Sequence, residues 1–456
     1  GTQLVKDINP GTDGSFIFQM TVYNNKIYFV ANTAAYGDEL WSSDGTAAGT
    51  QIVKDIMPGT GSANISSATL HVVNDRLVFT ANDGTNGFRL WSTDGTAAGT
   101  KMISPSVNVY SILNASATMN NNIYFCPGTG TQLWKSDGTQ AGTVKVSNLV
   151  SPNGVTGANL FVTVGNNVFF RLGAKELWKT DGTDAGTVLV KNMESVSVNG
   201  TFTMLNPVAY DNNTLLFCCN YTFYPQTPWG CELWKSDGTA AGTSLVKSFT
   251  NFTGSVGISP NSFTKYNGHY YFMAYGGSGY YELWKTNATP AGTAIVRGAS
   301  QFDGSFPESI TVANGLMYYI GWGASSSTNY GLWQSDGTAG GTQKIVETGS
   351  GCPEKPGRLI MYPNKGILFA MAYESNTGLY YGDEPFTTPL PAKPACTNML
   401  TPAISITSNI TASACAGTSY VFNAAYSNGG TAPKFQWKIN GNNISWATGS
   451  VCAINN

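Results

Sequence analysis

The sequence predicts an all-β protein: an eight-bladed β-propeller closed by its own N-terminal strand, followed by a short partial Ig-like β-sandwich module. Three observations carry that expectation. The stretch ELWSSDGTAAGT, from Glu39 to Thr50, returns as RLWSTDGTAAGT, QLWKSDGTQAGT, ELWKTDGTDAGT and ELWKSDGTAAGT. Aligned on its leucine, the motif recurs at Leu40, Leu90, Leu133, Leu177, Leu233, Leu283 and Leu332, with a degenerate eighth copy at Leu379. A period of roughly 40–50 residues with several strands per unit is the mark of propellers, whereas helical solenoids of that period need a 3.6-residue apolar pattern that is absent here. The composition agrees: charged residues are 11%, aromatics 12% and glycines number 53 in 456 residues, a balance that favours strands and turns over solvated amphipathic helices. Finally, the opening GTQLVKDINPGT matches GTQIVKDIMPGT, Gly49 to Thr60, which ends the first full repeat.

Each repeat reads as four short strands. In the first copy these are FIFQMTVY, a turn at Asn24 and Asn25, KIYFVAN, a variable loop, ELWSS, the turn DGTAAG, and TQIVKDI. The Asp-Gly pair suits a tight reversal, because glycine takes positive φ without steric cost and the aspartate accepts bonds from the following amides. The second glycine, Gly49, is expected to relax a further strained position. Trp41, Trp91, Trp134, Trp178, Trp234, Trp284 and Trp333 fall at one place per blade, where a flat ring fills the wedge between neighbouring sheets. The eighth copy stops after its third strand at GLYYGDEPF, so the first segment can supply the missing fourth strand and protect open edges. The propeller is thus expected to span 1–386.

A proline-rich linker follows at 387–401 and a second module at 402–456. The strings CAGTSYVF and FQWKING resemble strands of Ig-like or PKD-like modules, with Cys415 and Trp437 where an Ig-type core places a cysteine and its tryptophan. The module is far shorter than the ~100 residues of a full sandwich. Either the chain is a piece of a longer protein or a neighbour's strand completes the sheet.

The string E-L-W-x-x-D-G-T-x-x-G-T-x-x-V-K resembles the ELWxxDGT repeat family of secreted and surface proteins of Bacteroidetes and related bacteria. One copy departs from it, with Asn287-Ala288 in place of Asp-Gly, and the eighth lacks both Trp and DGT. The resemblance implies export, by the type IX secretion route, and roles in adhesion or surface layers. The turn also resembles the Asp-box of sialidases, a structural hairpin that imports no catalytic residues.

A formal net charge of −2 with no basic run leaves no footprint for nucleic acid. No apolar run reaches the roughly 18 residues that span a bilayer, so direct membrane insertion is not expected. Eight cysteines in a low-charge chain suggest an oxidising, extracellular or cell-surface location. Cys126 and Cys218 occupy equivalent second-strand positions and read as buried thiols. Cys219 and Cys231 flank a long loop and are expected to bridge its base; Cys352 with Cys396, and Cys415 with Cys452, are further expected pairs, although parity permits other arrangements. The two histidines, His71 and His269, have no metal-ligand spacing, and no G-x-S-x-G elbow is present, so neither metal nor cofactor is expected. Glu39, Glu176, Glu232 and Glu282 recur at one repeat position, which reads as scaffold. Asp13, Asp83 and Glu374 sit in loops without a dense calcium motif.

The loops between second and third strands vary most, and variable loops on a repeated scaffold are where binding evolves. Three consecutive repeats carry long aromatic versions: NYTFYPQTPWG, YGGSGYY and GWGASSSTNYG. They supply Tyr221, Phe223, Tyr224, Trp229, Tyr275, Tyr280, Tyr281, Trp322 and Tyr330 as candidate ligand-binding residues, suited to stacking on sugars or anchoring a protein. The first functional expectation is therefore a non-enzymatic extracellular adhesion protein whose partner is a cell-surface glycan or protein. The second is a structural subunit that assembles with copies of itself through the short module. The third is a carbohydrate-active propeller enzyme using carboxylates at its mouth.

Overall fold

The computed structural model describes residues 4–389 apart from 12–13, 66–69, 106, 108, 110–115, 129, 194–199, 224–228, 250–257, 276–280, 299–307, 323–329, 348–355, 363–366 and 373–383, together with strands between 403 and 455. The chain divides into two compact units, Gly1–Pro389 and Leu390–Asn456. No helix among the described residues is long and apolar enough to cross a membrane.

The first unit is all-β. Among the described residues it holds seven four-stranded antiparallel sheets, each a simple meander, over 18–54, 71–102, 116–148, 158–192, 200–248, 258–297 and 308–347. In the first sheet the strands are Phe18–Tyr23, Lys26–Thr33, Gly37–Ser43 and Gln51–Lys54. An up-and-down meander places the first–second and third–fourth turns at one end, and the second–third loops with the sheet-to-sheet crossings at the other. Asn24 and Asn25 have φ of 47° and 57°, the paired left-handed conformation that a two-residue hairpin requires and asparagine tolerates. A register shift between the leucine and tryptophan of the motif recurs in six sheets, from Leu40/Trp41 to Leu332/Trp333, and such a bulge adds local twist.

The DGT turn is a closed hydrogen-bond lattice. Asp44 Oδ1 accepts from Thr46 N (2.9 Å) and Thr46 Oγ1 (2.7 Å), Thr46 Oγ1 accepts from Gly49 N (2.9 Å), and Thr50 Oγ1 donates to Thr46 O (2.7 Å). Gly45 takes φ of 90°, as the sequence predicts for the first glycine. The second glycine serves another purpose than expected: a Cβ on Gly49 would stand 2.0 Å from Asp44 Oδ1, so the carboxylate itself fills the space a side chain would need. The same lattice forms at Asn287, whose amide oxygen accepts from Thr289 N and Oγ1, with Ala288 at φ of 62° in place of glycine.

Apolar clusters lie between successive sheets. Tyr28, Val30 and Leu40 of the first sheet meet Leu77, Phe79 and Trp91 of the second, and Trp178, Trp234, Trp284 and Trp333 join equivalent clusters with the sheet before each. Cations tie the sheets at their outer edges: Lys191 donates to Thr243 O of the next sheet (2.8 Å) and lies over Trp234, while Lys247 and Arg297 lie over Trp284 and Trp333.

The eighth sheet differs from expectation. Among the described residues it has three strands, Pro356–Tyr362, Ile367–Ala372 and Glu384–Pro389, so its third strand lies beyond the degenerate motif at Leu379, which is outside the described residues. A copy without Trp and DGT lacks the turn that fixes register. Residues 4–11 form no strand, and Leu4 is 81% exposed. They nonetheless hold on the first sheet the position a preceding outer strand would occupy. Lys6 donates to Thr50 O (2.7 Å), as Lys191 does to Thr243 O; Ile8 packs on Phe29, Ala31 and Trp41; and Ser15 O accepts from Asn32 N (2.8 Å), as Ala63 O does from Asn82 N. Phe16, Met20 and Val22 of this region are exposed.

The second unit contains a three-stranded antiparallel sheet of Ala403–Ser408, Ser419–Ser427 and Val451–Asn455, and a short pair, Lys438–Ile439 with Asn442–Asn443. Cys415 and Trp437 lie outside the described residues.

Candidate functional site

The loop end of the fifth, sixth and seventh sheets gathers the aromatic positions. In the fifth sheet the second and third strands run long, Leu215–Phe223 and Trp229–Ser236, with Thr222 opposite Trp229 and Tyr221 opposite Gly230. Tyr275 stands opposite Tyr281 in the sixth, and Trp322 opposite Tyr330 in the seventh. Seven of the nine predicted binding residues (Tyr221, Phe223, Trp229, Tyr275, Tyr281, Trp322 and Tyr330) are thus placed by backbone register at the same end of three consecutive sheets. Tyr281 is half-buried, and Tyr224 and Tyr280 lie outside the described residues. The register also brings Phe202 of the first strand opposite Tyr221, a position that loop-directed reading passes over.

The repeated glutamates stand at one position of the third strand in the first, fourth, fifth and sixth sheets, and they are not alike. Glu39, Glu176 and Glu282 are fully buried. Glu176 is saturated: Oε1 accepts from Ser151 Oγ (2.8 Å) and Asn153 Nδ2 (2.9 Å), and Oε2 from Trp178 Nε1 (2.9 Å). Glu39 accepts from Met57 N (2.8 Å), which braces the third strand against the crossing to the next sheet; burial pushes its carboxyl up to about 7. Glu232 is only half-buried. Its Oε2 accepts from Trp234 Nε1 (2.8 Å), and burial raises its pKa above the ordinary carboxylate value, with that hydrogen bond opposing the rise. Repetition in the sequence gave the four residues one reading as scaffold; partial exposure separates Glu232, and no sequence pattern distinguishes it.

The remaining candidates resolve as follows. His71 Nε2 lies 2.8 Å from Ser116 Oγ across the second and third sheets, and burial pulls its pKa down to about 4, so the ring is neutral and a weak base. His269 Nδ1 lies 3.1 Å from Asn267 O. Cys126 is buried, its thiol pushed up to about 12. Cys218 and Cys219 are buried in the core; Cys219 stands opposite Glu232 and Cys231 opposite Asn220 in register. Cys452 stands opposite Phe422, and Cys352, Cys396 and Cys415 lie outside the described residues. Asp83 is engaged by its own loop, accepting from Thr85 N, Asn86 N and Asn86 Nδ2; Asp13 and Glu374 lie outside the described residues.

The sequence matches no family model and no curated protein. Solved structures similar to the chain include a puromycin hydrolase, at 12% identity and TM-score 0.38, with 80% of this chain and 60% of that one covered. Two others are the β-propeller domain of the Trilobed protease from Pyrococcus furiosus (10%, TM-score 0.36, 72% and 97% covered) and polysaccharide lyase Uly1 (11%, TM-score 0.38, 81% and 88% covered). The chain spans about 60% of the length of the puromycin hydrolase. These are a hydrolase, part of a protease and a lyase, and they stand against the expectation of a non-enzymatic adhesion protein and of a chain that is not an enzyme. Aromatic loops on a repeat scaffold serve enzymes and adhesins alike, so that feature could not separate the two. At these identities the likeness carries no substrate or mechanism.

Proposed function

We propose that the first unit is a carbohydrate-active propeller, with the aromatic hairpin end of the fifth to seventh sheets as its polysaccharide platform and Glu232 as its acid–base group. The observation that carries this is Glu232 itself. Alone among the four equivalent glutamates it is partly open, it lies on the strand that begins with Trp229, and its carboxyl holds its proton to higher pH than a free one. Sugar chemistry uses a carboxylic acid whose pKa is raised above the free value, and aromatic faces on which rings can stack. Three further readings belong with this one: the sheets close as an eight-membered ring, with residues 1–8 as the outer strand of the eighth; the second unit is a partial Ig-like module; and the chain is an exported ELWxxDGT protein whose partner is an extracellular polysaccharide. The test is turnover of a panel of neutral and uronate-containing polysaccharides by the full chain. Cleavage that Glu232→Gln reduces at least about a thousandfold, within the range lost with a general acid, while the fold is kept, is expected. Cleavage of none of them, or equal cleavage by the variant, overturns the reading.

A further inference from the structure

At the turn end, opposite the aromatic hairpins, side chains bridge most joints between sheets. Tyr23 Oη donates to Asp75 O (2.5 Å), Tyr210 Oη to Gly268 O (2.9 Å) and Tyr266 Oη to Gly315 O (2.7 Å). Between the second and third sheets Asn74 Nδ2 donates to Asp137 O (2.9 Å). Each bridge ends on a turn of the following sheet. At the joint of the fourth and fifth sheets, the residue matching Tyr23 and Tyr266, the last of the first strand, is Val164, which has no hydroxyl to offer.

What stands there instead is a cleft of about 700 Å3, inside the ~300–1,000 Å3 range of small-molecule sites. Its walls are two turns. Asn166 and Asn167 come from the fourth sheet, and Asn212 and Asn213 from the fifth, whose turn is longer; Val164 and Phe169 contribute the apolar lining. Gly165 keeps the turns close, since a Cβ there would lie 2.2 Å from Asn212 O, and it takes φ of 57°. No hydrogen bond engages the four side-chain amides among the described residues, whereas Asn74 spends its amide on the bridge. One charged group, Asp237, lines the cleft, and its Oδ1 already accepts from Thr239 N and Oγ1.

We propose that this cleft is a second carbohydrate site, one that takes a neutral saccharide unit. An amide both donates and accepts, as a sugar hydroxyl does, and four amides around a small apolar patch meet a ring that has polar edges and an apolar face. A lone carboxylate disfavours anionic ligands. The site is independent of the aromatic hairpins at the other end and of Glu232.

Calorimetric titration of the full chain with cellotetraose, xylotetraose, mannotetraose, chitotetraose and calcium chloride tests it. Binding of at least one tetrasaccharide is expected. Val164→Tyr, which restores the bridging side chain of the other joints, and the double change Asn166→Ala with Asn212→Ala should each weaken it at least about tenfold, the loss of one or two hydrogen bonds. Because Val164 is buried, the paired asparagine variant at exposed positions stands if the tyrosine variant fails to fold. Trp229→Ala and Glu232→Gln should leave unchanged the part of the binding that the cleft variants remove, whatever they do to binding at the aromatic end. No saccharide binding at millimolar concentration, binding untouched by the cleft variants, loss of that same part with Trp229→Ala, or calcium bound in place of sugar would each overturn the assignment.

Discussion

Asp44 and Gly49 show how one pair of atoms can dictate a repeat. The carboxylate stands where a Cβ on the glycine would be, and the same geometry recurs at Asp94 with Gly99 and at Asp181 with Gly186. Gly99→Ala should therefore destabilise the protein by about 2 kcal/mol, since the carboxylate must leave a lattice of charge-assisted bonds. Gly45→Ala meets no atom within 4 Å and has only its φ of 90° to contend with, so it should cost less, about 1 kcal/mol. Denaturant unfolding of the two variants would rank them. Two buried titratable groups set opposite pH trends. Glu39 holds its proton to about 7, so between its unfolded value of 4.5 and about 7 the folded state binds more protons and stability falls as pH rises; Glu39→Gln should flatten that limb. His71 is depressed to about 4, so its contribution is complete above the unfolded value of 6.5 and is lost as pH falls toward 4; His71→Gln should flatten that acid limb. Thermal unfolding of each variant from pH 4 to 8 checks both signs.

Strands and turns were legible wherever the motif is intact, because Leu-Trp and DGT fix both face and register. Asn287-Ala288 departs from the motif, yet the asparagine oxygen and Thr289 rebuild the same bonds, so the chemistry that matters is an acceptor two residues before the threonine. In the eighth sheet the third strand, Glu384–Pro389, overlaps only the end of the expected GLYYGDEPF, since neither marker is present there to anchor it. Glu232 could not be singled out either: its difference from Glu39, Glu176 and Glu282 is exposure, which leaves no trace in the repeat. Between elements, Lys191 both donates to Thr243 O and lies 5.8 Å from the centre of the Trp234 ring. Lys191→Met should cost about 1–2 kcal/mol, more than an isolated surface charge, as measured by the shift in urea midpoint.

The molecule repeats one solution to burial, and its two ends have diverged: hairpins and Glu232 at one, amide-lined turns at the other. That division depends on the proposed closure of the sheets into a ring, which would turn the loop ends into a mouth. Lys6, Ile8 and Ser15 already meet the first sheet as a preceding outer strand would, while the eighth sheet has no fourth strand among the described residues. Closure would cover Phe16, Met20 and Val22, which stand exposed. Backbone amide hydrogen exchange of the full chain and of a form lacking residues 1–9 tests this most directly, because paired strand amides exchange only on opening. A closed ring predicts slow exchange in residues 4–7 and in Glu384–Pro389, with the latter accelerating once the first nine residues are removed. Equal exchange of Glu384–Pro389 in the two forms would contradict closure.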